Sequence, residues 1–282
     1  MANDPYGNGS ILVLGGTGKT GRLVAEGLIK AGRHVRIGSR HAEPPFDWER
    51  PESWGAALAD MSAVYVAYQP DIAVPGAVET VRAFFRQAIA AGIAKIVLLS
   101  GRGEAEAEEA EAVLRDLPVD WTILRCSWFF QNFSEAFLLD NIRAGEVALP
   151  AGLAPEPFVD TRDIAEIAVA AFNDPRHARQ LYEITGPRAL TFAEAIAAIA
   201  AAAGRPIAYA SVSVEAYKAE LQRLQVPAPY VDLILYLFTT VLDGRNTPLA
   251  DGVQRALGRP PREFATYVAD VVATGVWGGN HA

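Results

Sequence analysis

Cysteine is almost absent from this chain. Cys126 is the single one in 282 residues, which excludes an intramolecular disulfide framework and any multi-cysteine metal site. A lone thiol suits a reducing compartment, so a cytoplasmic protein is expected. Histidine is scarce too. His34, His41, His177 and His281 show no ligand spacing and are read as solvated or structural, so no metal is expected. Positive charge is in deficit: 25 Lys and Arg against 33 Asp and Glu leave a net charge of −8. That balance argues against a sequence-independent grip on nucleic acid, which needs clustered Lys and Arg. Long apolar runs are missing as well. The run Leu233 to Phe238 is far shorter than the ~18 residues of a membrane span. Met1 to Ser10 is polar, without an apolar core, and is not read as a signal peptide. No internal repeat and no low-complexity linker divides the chain.

What is present fits a soluble α/β protein. Hydrophobic residues make up 51% of the chain and charged ones 21%. Its length permits one large α/β domain with a smaller addition, burying roughly three quarters of the unfolded surface. The organising stretch is Ile11-Leu12-Val13-Leu14-Gly15-Gly16-Thr17-Gly18-Lys19-Thr20-Gly21-Arg22. It reads as an apolar strand, a glycine-rich turn and a helix start. Gly15 lets the chain leave the strand in a tight turn, Gly18 leaves room for a pyrophosphate, and Gly21 lets helix and strand approach. The amides near Lys19 and Thr20 then face a phosphate with the positive end of the helix dipole behind them. Leu23, Val24, Gly27, Leu28 and Ala31 continue at helical spacing, and His34 to Gly38 reads as a second strand. This is a βαβ unit for a dinucleotide.

The end of that second strand bears on the cofactor. An NAD-type site places Asp or Glu there to hold the ribose hydroxyls. Here the residues are Gly38-Ser39-Arg40, with no carboxylate before Glu43. Ser39 can donate to a phosphate and Arg40 can pair with it through its planar fork. NADP(H) is therefore expected over NAD(H). The alternative is that Arg40 is an ordinary solvated arginine.

Further along, Phe46-Asp47-Trp48 is expected as a very short strand near the adenine. Ala63 to Tyr68 reads as a central strand buried on both faces. Ligands of open α/β sheets lie beyond the carboxyl ends of strands, so Tyr68, Gln69 and Pro70 are expected to line the cofactor site. A helix over 74–91 and a strand over 95–100 follow, opening into Gly101-Arg102-Gly103. Ser100 and Gly101 are placed beside the cofactor. Ser100 and Gln69 are candidates for orienting the carboxamide or the substrate. Glu104, Glu106, Glu108, Glu109 and Glu111 read as the solvated face of a helix, with a metal or general-acid role as the alternative. Trp121 to Arg125 is another strand, leading into Trp128-Phe129-Phe130-Gln131-Asn132. Its three aromatics are either core packing or a substrate-pocket wall. Asn132 is an expected N-cap. Asp163-x-x-Glu166 reads as a capping box opening a helix over 164–172, and Thr191-x-x-Glu194 as a second box. Strands are expected over 180–185 and 207–212, then helices over 214–225, 230–242 and 262–272.

Several of these motifs together carry a resemblance. Gly15 to Gly21, Thr122-Ile123-Leu124-Arg125, and Phe158-Val159-Asp160 with Asp163-Ile164-Ala165 resemble the NmrA-like group of atypical short-chain dehydrogenases. Arg245-Asn246 and the segment Asp251 to Arg259 resemble more closely the bacterial relatives of festuclavine (ergot-alkaloid) dehydrogenase. The likeness runs from Ile11 to Trp277. It implies a Rossmann-type doubly wound parallel sheet binding NADP(H), and a smaller, mainly helical C-terminal domain over the nicotinamide. It also implies reduction of an iminium, quinone or related electrophile. The expected division is 10–131 with 145–185 for the cofactor, and 132–144 with 186–282 for the substrate. Trp128, Phe129, Phe130, Asn132 and Tyr236 are the candidate substrate residues. The segment holding Tyr230, Tyr236 and Phe238 either covers a small molecule or forms a homodimer interface.

One departure from the family pattern is informative. Typical short-chain dehydrogenases carry a Tyr-x-x-x-Lys pair on the helix after the strand that ends here at Ser100. No tyrosine occurs between Tyr68 and Tyr182, and no lysine between Lys95 and Lys218. A positioned general acid is worth roughly 10²–10⁴ in rate, so simple ketone reduction is disfavoured. An iminium needs no proton in the hydride step, and a quinone delocalises its new charge. The competing reading is an NADP(H)-binding redox sensor that acts through a protein partner without turnover.

Overall fold

The computed structural model describes residues 9–135 and 137–278; His281 lies outside them. In chain order the elements are β1 (Ser10–Leu14), α1 (Gly21–Lys30), β2 (Val35–Gly38), α2 (Trp54–Leu58), β3 (Met61–Val66), α3 (Ala77–Ala90), β4 (Lys95–Gly101), α4 (Ala105–Arg115) and β5 (Asp120–Cys126). They continue with α5 (Leu139–Ala144), β6 (Glu146–Leu149), α6 (Thr161–Asn173), β7 (Gln180–Ile184), α7 (Phe192–Ala203) and β8 (Ala208–Ser211). The last are α8 (Val214–Arg223), α9 (Ala228–Tyr236), α10 (Gly252–Leu257) and α11 (Phe264–Ala273). No described helix is long and apolar enough to cross a membrane.

The chain forms two units. One runs to Cys126 and takes in Thr161–Ile184 and Asp251–Arg259. Its six-stranded parallel sheet has the order β2-β1-β3-β4-β5-β7. Helices cover both faces, so the strands read as continuous apolar runs rather than alternating ones. Ile11, Leu12, Val64, Val66, Ile96, Leu98 and Ile123 are fully buried. Each such side chain stabilises the fold by roughly 1.5–3 kcal/mol. One face is filled by Phe46, Trp48, Trp54, Phe84 and Phe85. On α1, a Cβ at Gly27 would come 2.8 Å from Val169 of α6, so this glycine permits a close helix pair.

Three expectations differ here. Phe46-Asp47-Trp48 forms no strand. The Asp47 main chain is engaged by the following turn, its N–H donating to Ser53 Oγ (3.1 Å) and its carbonyl accepting from Trp54 Nε1 (2.8 Å). Asp163 is no cap, because α6 begins at Thr161 and places it in the first turn. Fully buried there, Asp163 accepts from Arg259 Nη2 (2.7 Å), and Glu166 pairs with the same guanidinium. The segment Asp251–Arg259, expected in the C-terminal domain, belongs to this unit. A Cβ on Gly252 would lie 2.0 Å from the Glu183 carbonyl oxygen, and Arg255 stands 5.2 Å from the Tyr182 ring centroid. The motif carried by the resemblance is thus a clamp on β7 and α6.

The second unit comprises Ser127–Asp160, Thr185–Ala250 and the chain from Pro260. Residues 145–160, expected with the large sheet, lie here because β6 pairs in parallel with β8. Its core is aromatic: Phe130, Phe133, Phe158, Phe192, Phe238, Phe264, Tyr267 and Trp277. α7 opens with the expected capping box, Thr191 Oγ1 accepting from the Glu194 N–H (3.1 Å) and Glu194 Oε2 from the Thr191 N–H (2.7 Å). Asn132 is no helix cap; it lies inside a short 3₁₀ turn, Phe130–Phe133, and α5 starts only at Leu139. The helix expected over 230–242 is α9, finished by a wider π turn at Leu237–Val241.

Candidate functional site

The glycine loop joins β1 to α1 at the carboxyl edge of the large sheet. Gly15 takes φ +66°, a conformation that favours glycine. The Gly18 N–H donates to the Gly15 carbonyl (2.8 Å), closing the turn. A Cβ on Gly21 would lie 2.2 Å from that carbonyl oxygen, so helix and loop meet at a distance only glycine allows. α1 has neither an acidic residue in its first turn nor a side-chain cap on its N-terminus. Its dipole end therefore suits an anion. Thr17 is exposed, and Gly18 and Lys19 are half-buried. The Thr20 side chain faces inward and accepts from Tyr65 Oη (3.0 Å). Thr20 thus offers the loop its backbone rather than its hydroxyl.

The ends of β2 and β3 complete this edge. Ser39 follows β2 half-buried, and its carbonyl accepts from the N–H groups of Ala42 (3.2 Å) and Phe46 (2.9 Å). Arg40 is exposed beside it. After β3, the Gln69 side chain reaches the loop, its Nε2 lying 3.7 Å from where a Gly18 Cβ would stand. Gln69 and Pro70 are exposed, Tyr68 half-buried. Trp48, expected at the adenine, is taken up by the core, with ring centroids 4.8 Å from Tyr68 and 5.1 Å from Phe84. Asp47 Oδ1 accepts from the Glu49 N–H (3.1 Å), holding a local turn. These residues fit a dinucleotide: a cradle that Cβ atoms would fill, an uncapped helix N-terminus, and a serine and arginine where an NAD-type site has a carboxylate.

The ends of β4 and β5 hold what sequence reasoning missed. Ser100 is buried and donates to Glu111 Oε1 (2.6 Å). Arg125 grips the same carboxylate with two bonds, Nε to Oε1 (2.9 Å) and Nη2 to Oε2 (2.5 Å), and reaches Glu183 Oε1 through Nη1 (3.2 Å). The Glu111 bond holds the Arg125 proton more tightly than usual. Glu104 is buried too, its carboxyl folded over Gly101. The acidic run is therefore not one solvated face. Glu108 and Glu109 are exposed, while Glu104 and Glu111 share a buried stripe with Ala107 and Leu114. That spacing of three and four was the available signal. Burial, and then the carboxylates of Glu104 and Glu111, raise the Cys126 thiol well above its usual range, so it is no nucleophile.

In the second unit the three consecutive aromatics separate. Phe130 is core, its ring 5.0 Å from Phe264 and 5.2 Å from Tyr267. It is no pocket wall. Trp128 and Phe129 are half-buried, Trp128 packing on Phe192 (5.6 Å) and Phe238 (5.1 Å). Main-chain bonds from the Val159 N–H to the Trp128 carbonyl and from the Phe130 N–H to the Val159 carbonyl, both 2.8 Å, fix this stretch. Gln131 Nε2 donates to buried Asp160 Oδ1 (3.0 Å). Asn132 and Tyr236 are half-buried.

The pattern of the NmrA-like family matches residues 105–264, more than half of the chain. The chain belongs to the NmrA-like family. It is 30% identical to the NAD(P)H azoreductase of Xenophilus azovorans, over 91% of this chain and 96% of that protein. It is 28% identical to agroclavine dehydrogenase of Claviceps fusiformis, over 93% and 96%. Among solved structures, triphenylmethane reductase of Citrobacter sp. in complex with NADP(H) superposes with a TM-score of 0.74 at 19% identity, over 93% of this chain and 99% of that one. The Rossmann-type fold is common to both.

Proposed function

We propose that this protein is an NADPH-dependent reductase that passes hydride to an activated small-molecule electrophile such as an iminium or a quinone. It is an NAD(P)H-dependent oxidoreductase in class. The observation that carries the reading is the glycine cradle with Ser39-Arg40, and no carboxylate, at the end of β2. The Gly15–Gly21 turn and the start of α1 receive the pyrophosphate, and Ser39 and Arg40 receive the 2′-phosphate. Bound NADPH supplies the hydride. Gln69, at the carboxyl end of β3 against the loop, orients the carboxamide. Ser100 acts as a positioning residue, since its proton is committed to Glu111. Trp128, Phe129, Asn132 and Tyr236 are the substrate-side candidates.

The absence of a Tyr-x-x-x-Lys pair supports an acceptor more reactive than a plain ketone. α4 carries glutamates and neither tyrosine nor lysine. The same absence favours a second reading, a redox sensor that binds NADP(H) and acts through a protein partner. A cytoplasmic location goes with either reading. The cofactor assignment is tested by titrating NADPH and NADH into the wild type and Arg40→Asp. The variant is expected to lose NADPH affinity about 10–100-fold, with little change for NADH, as befits the loss of a charge-assisted phosphate contact. Equal losses for both would remove the assignment. Trp128→Ala is expected to lower turnover with cofactor binding nearly intact; unchanged turnover would remove Trp128 from the substrate side.

A further inference from the structure

Glu104 stands just before α4, and its side chain turns back over the end of β4. A Cβ on Gly101 would lie 2.0 Å from Glu104 Oε2 and 2.3 Å from Oε1, so the carboxyl fits there because residue 101 is glycine. The residue is 8% exposed, and Oε2 is buried with no hydrogen-bond partner among the described residues. An ionised carboxylate at this point would lose hydration without gaining a donor at that oxygen. Its surroundings add negative charge. Asp71 faces it from the loop after β3, and Glu106 and Glu111 from α4, while the Cys126 thiol at the end of β5 is neutral. The Arg125 guanidinium is bound to Glu111 and Glu183, and Arg102 pairs with Glu183. Burial above all, then Asp71, Glu106 and Glu111, push the Glu104 carboxyl well above the ordinary range. Burial raises Asp71 as well.

Position gives this group a use. It lies at the carboxyl edge of the sheet, where ligands of open α/β folds bind. It is one strand over from Gln69 and two from the glycine loop. The geometry points to Glu104 as a neutral carboxylic acid that donates its proton to the substrate atom left anionic by hydride addition. This inference rests on the reductase reading and deepens it, naming quinones as substrates: their new charge is delocalised and a single carboxylic acid can serve it, whereas a plain ketone keeps the charge on one oxygen and still lacks the Tyr-x-x-x-Lys pair. A quinone that accepts hydride becomes a hydroquinone monoanion, and NADPH is oxidised to NADP⁺. The Glu104 O–H bond then breaks as the new O–H bond forms on the hydroquinone. The carboxylate that remains takes a proton from water before the next cycle. A triarylmethyl cation becomes neutral on accepting hydride and needs no proton.

The test is Glu104→Gln, which keeps the shape and removes the acid. Turnover of a quinone and of a triarylmethyl cation is measured with NADPH, and the ratio of the two rates is read. That ratio is expected to fall about 100-fold or more, the usual effect of losing a positioned acid. An unchanged ratio would overturn the proposal, whereas a wild type inactive on both acceptors would instead sink the reductase reading. Infrared spectroscopy of the cofactor-free protein with ¹³C-labelled glutamate gives a readout apart from activity. At neutral pH the wild type should show the carbonyl band of a buried, protonated glutamic acid that the variant lacks. A wild-type spectrum with ionised glutamates alone would also overturn it.

Discussion

The large sheet buries ionisable groups at both of its ends, and the two ends do so with opposite sign. At the amino edge, Lys95 opens β4 and is fully buried. His177, also fully buried, places Nδ1 2.8 Å from Tyr182 Oη, and its carbonyl accepts from Thr122 Oγ1 (2.7 Å). Burial lowers Lys95 to about 8, against the pull of Asp120 and Asp174. Burial, and then Arg176, lower His177. At the carboxyl edge the buried groups are acids, and burial with neighbouring carboxylates raises Glu104 and Asp71. Burial drives each group toward its neutral form, a base at one edge and an acid at the other. At the amino edge His177 is bonded to Tyr182 and Thr122, and Asp120 and Asp174 attract Lys95. The carboxyl edge keeps a buried acid oxygen without a partner, on the side of the sheet where ligands bind.

The sharpest way to break this contrast is Glu111→Ala. It strands the Arg125 guanidinium and the Ser100 hydroxyl at the carboxyl edge. Removing one partner of a buried ion pair costs about 3–5 kcal/mol, to be measured by urea unfolding. A loss under about 1 kcal/mol would mean that the pair behaves as a surface bridge.

Two variants sharpen the opposition of sign. The folded state holds the Glu104 proton to higher pH than the unfolded chain does, so its stabilising effect is lost as pH rises above the ordinary carboxyl range. Glu104→Gln should therefore gain in Tm relative to wild type as pH rises. Lys95 releases its proton earlier in the folded state, so its contribution grows as pH rises above about 8. Lys95→Met should lose ground to wild type over that span. Each divergence is expected to amount to a few degrees in thermal melts. Two slopes of the same sign would contradict the comparison. The smallest effect is expected from Thr122→Val, which leaves the buried His177 carbonyl without its donor. The expected loss is about 1–2 kcal/mol by urea unfolding, and no loss would show that another donor replaces it.

Legibility followed the type of constraint. The glycine loop could be read because the backbone itself requires glycine at Gly15 and Gly21, whatever surrounds them. The strands of the large sheet could be read because burial on both faces makes them apolar throughout. Glu104 and Glu111 could not, since an acidic run looks solvated until the helix stripe they share with Ala107 and Leu114 is traced. Their partners Asp71, Arg125 and Glu183 come from three other parts of the chain. Phe46-Asp47-Trp48 has the composition of a strand, yet the turn at Ser53 and Trp54 takes its hydrogen bonds. Asp251–Arg259 was recognisable as a motif but not as a clamp, because its target Glu183 is about 70 residues away in sequence. In the second unit, which of Trp128, Phe129 and Phe130 enters the core depends on Phe264 and Tyr267, far along the chain.

The central claim is tested most directly by following NADPH consumption by the purified protein. The acceptors are a quinone, a cyclic iminium ion and a triarylmethyl cation, with a simple ketone as comparator. The account predicts turnover of the charged or quinonoid acceptors and none of the ketone. NADPH that binds tightly yet is not consumed in the presence of any of these acceptors would contradict it and place the sensor reading first.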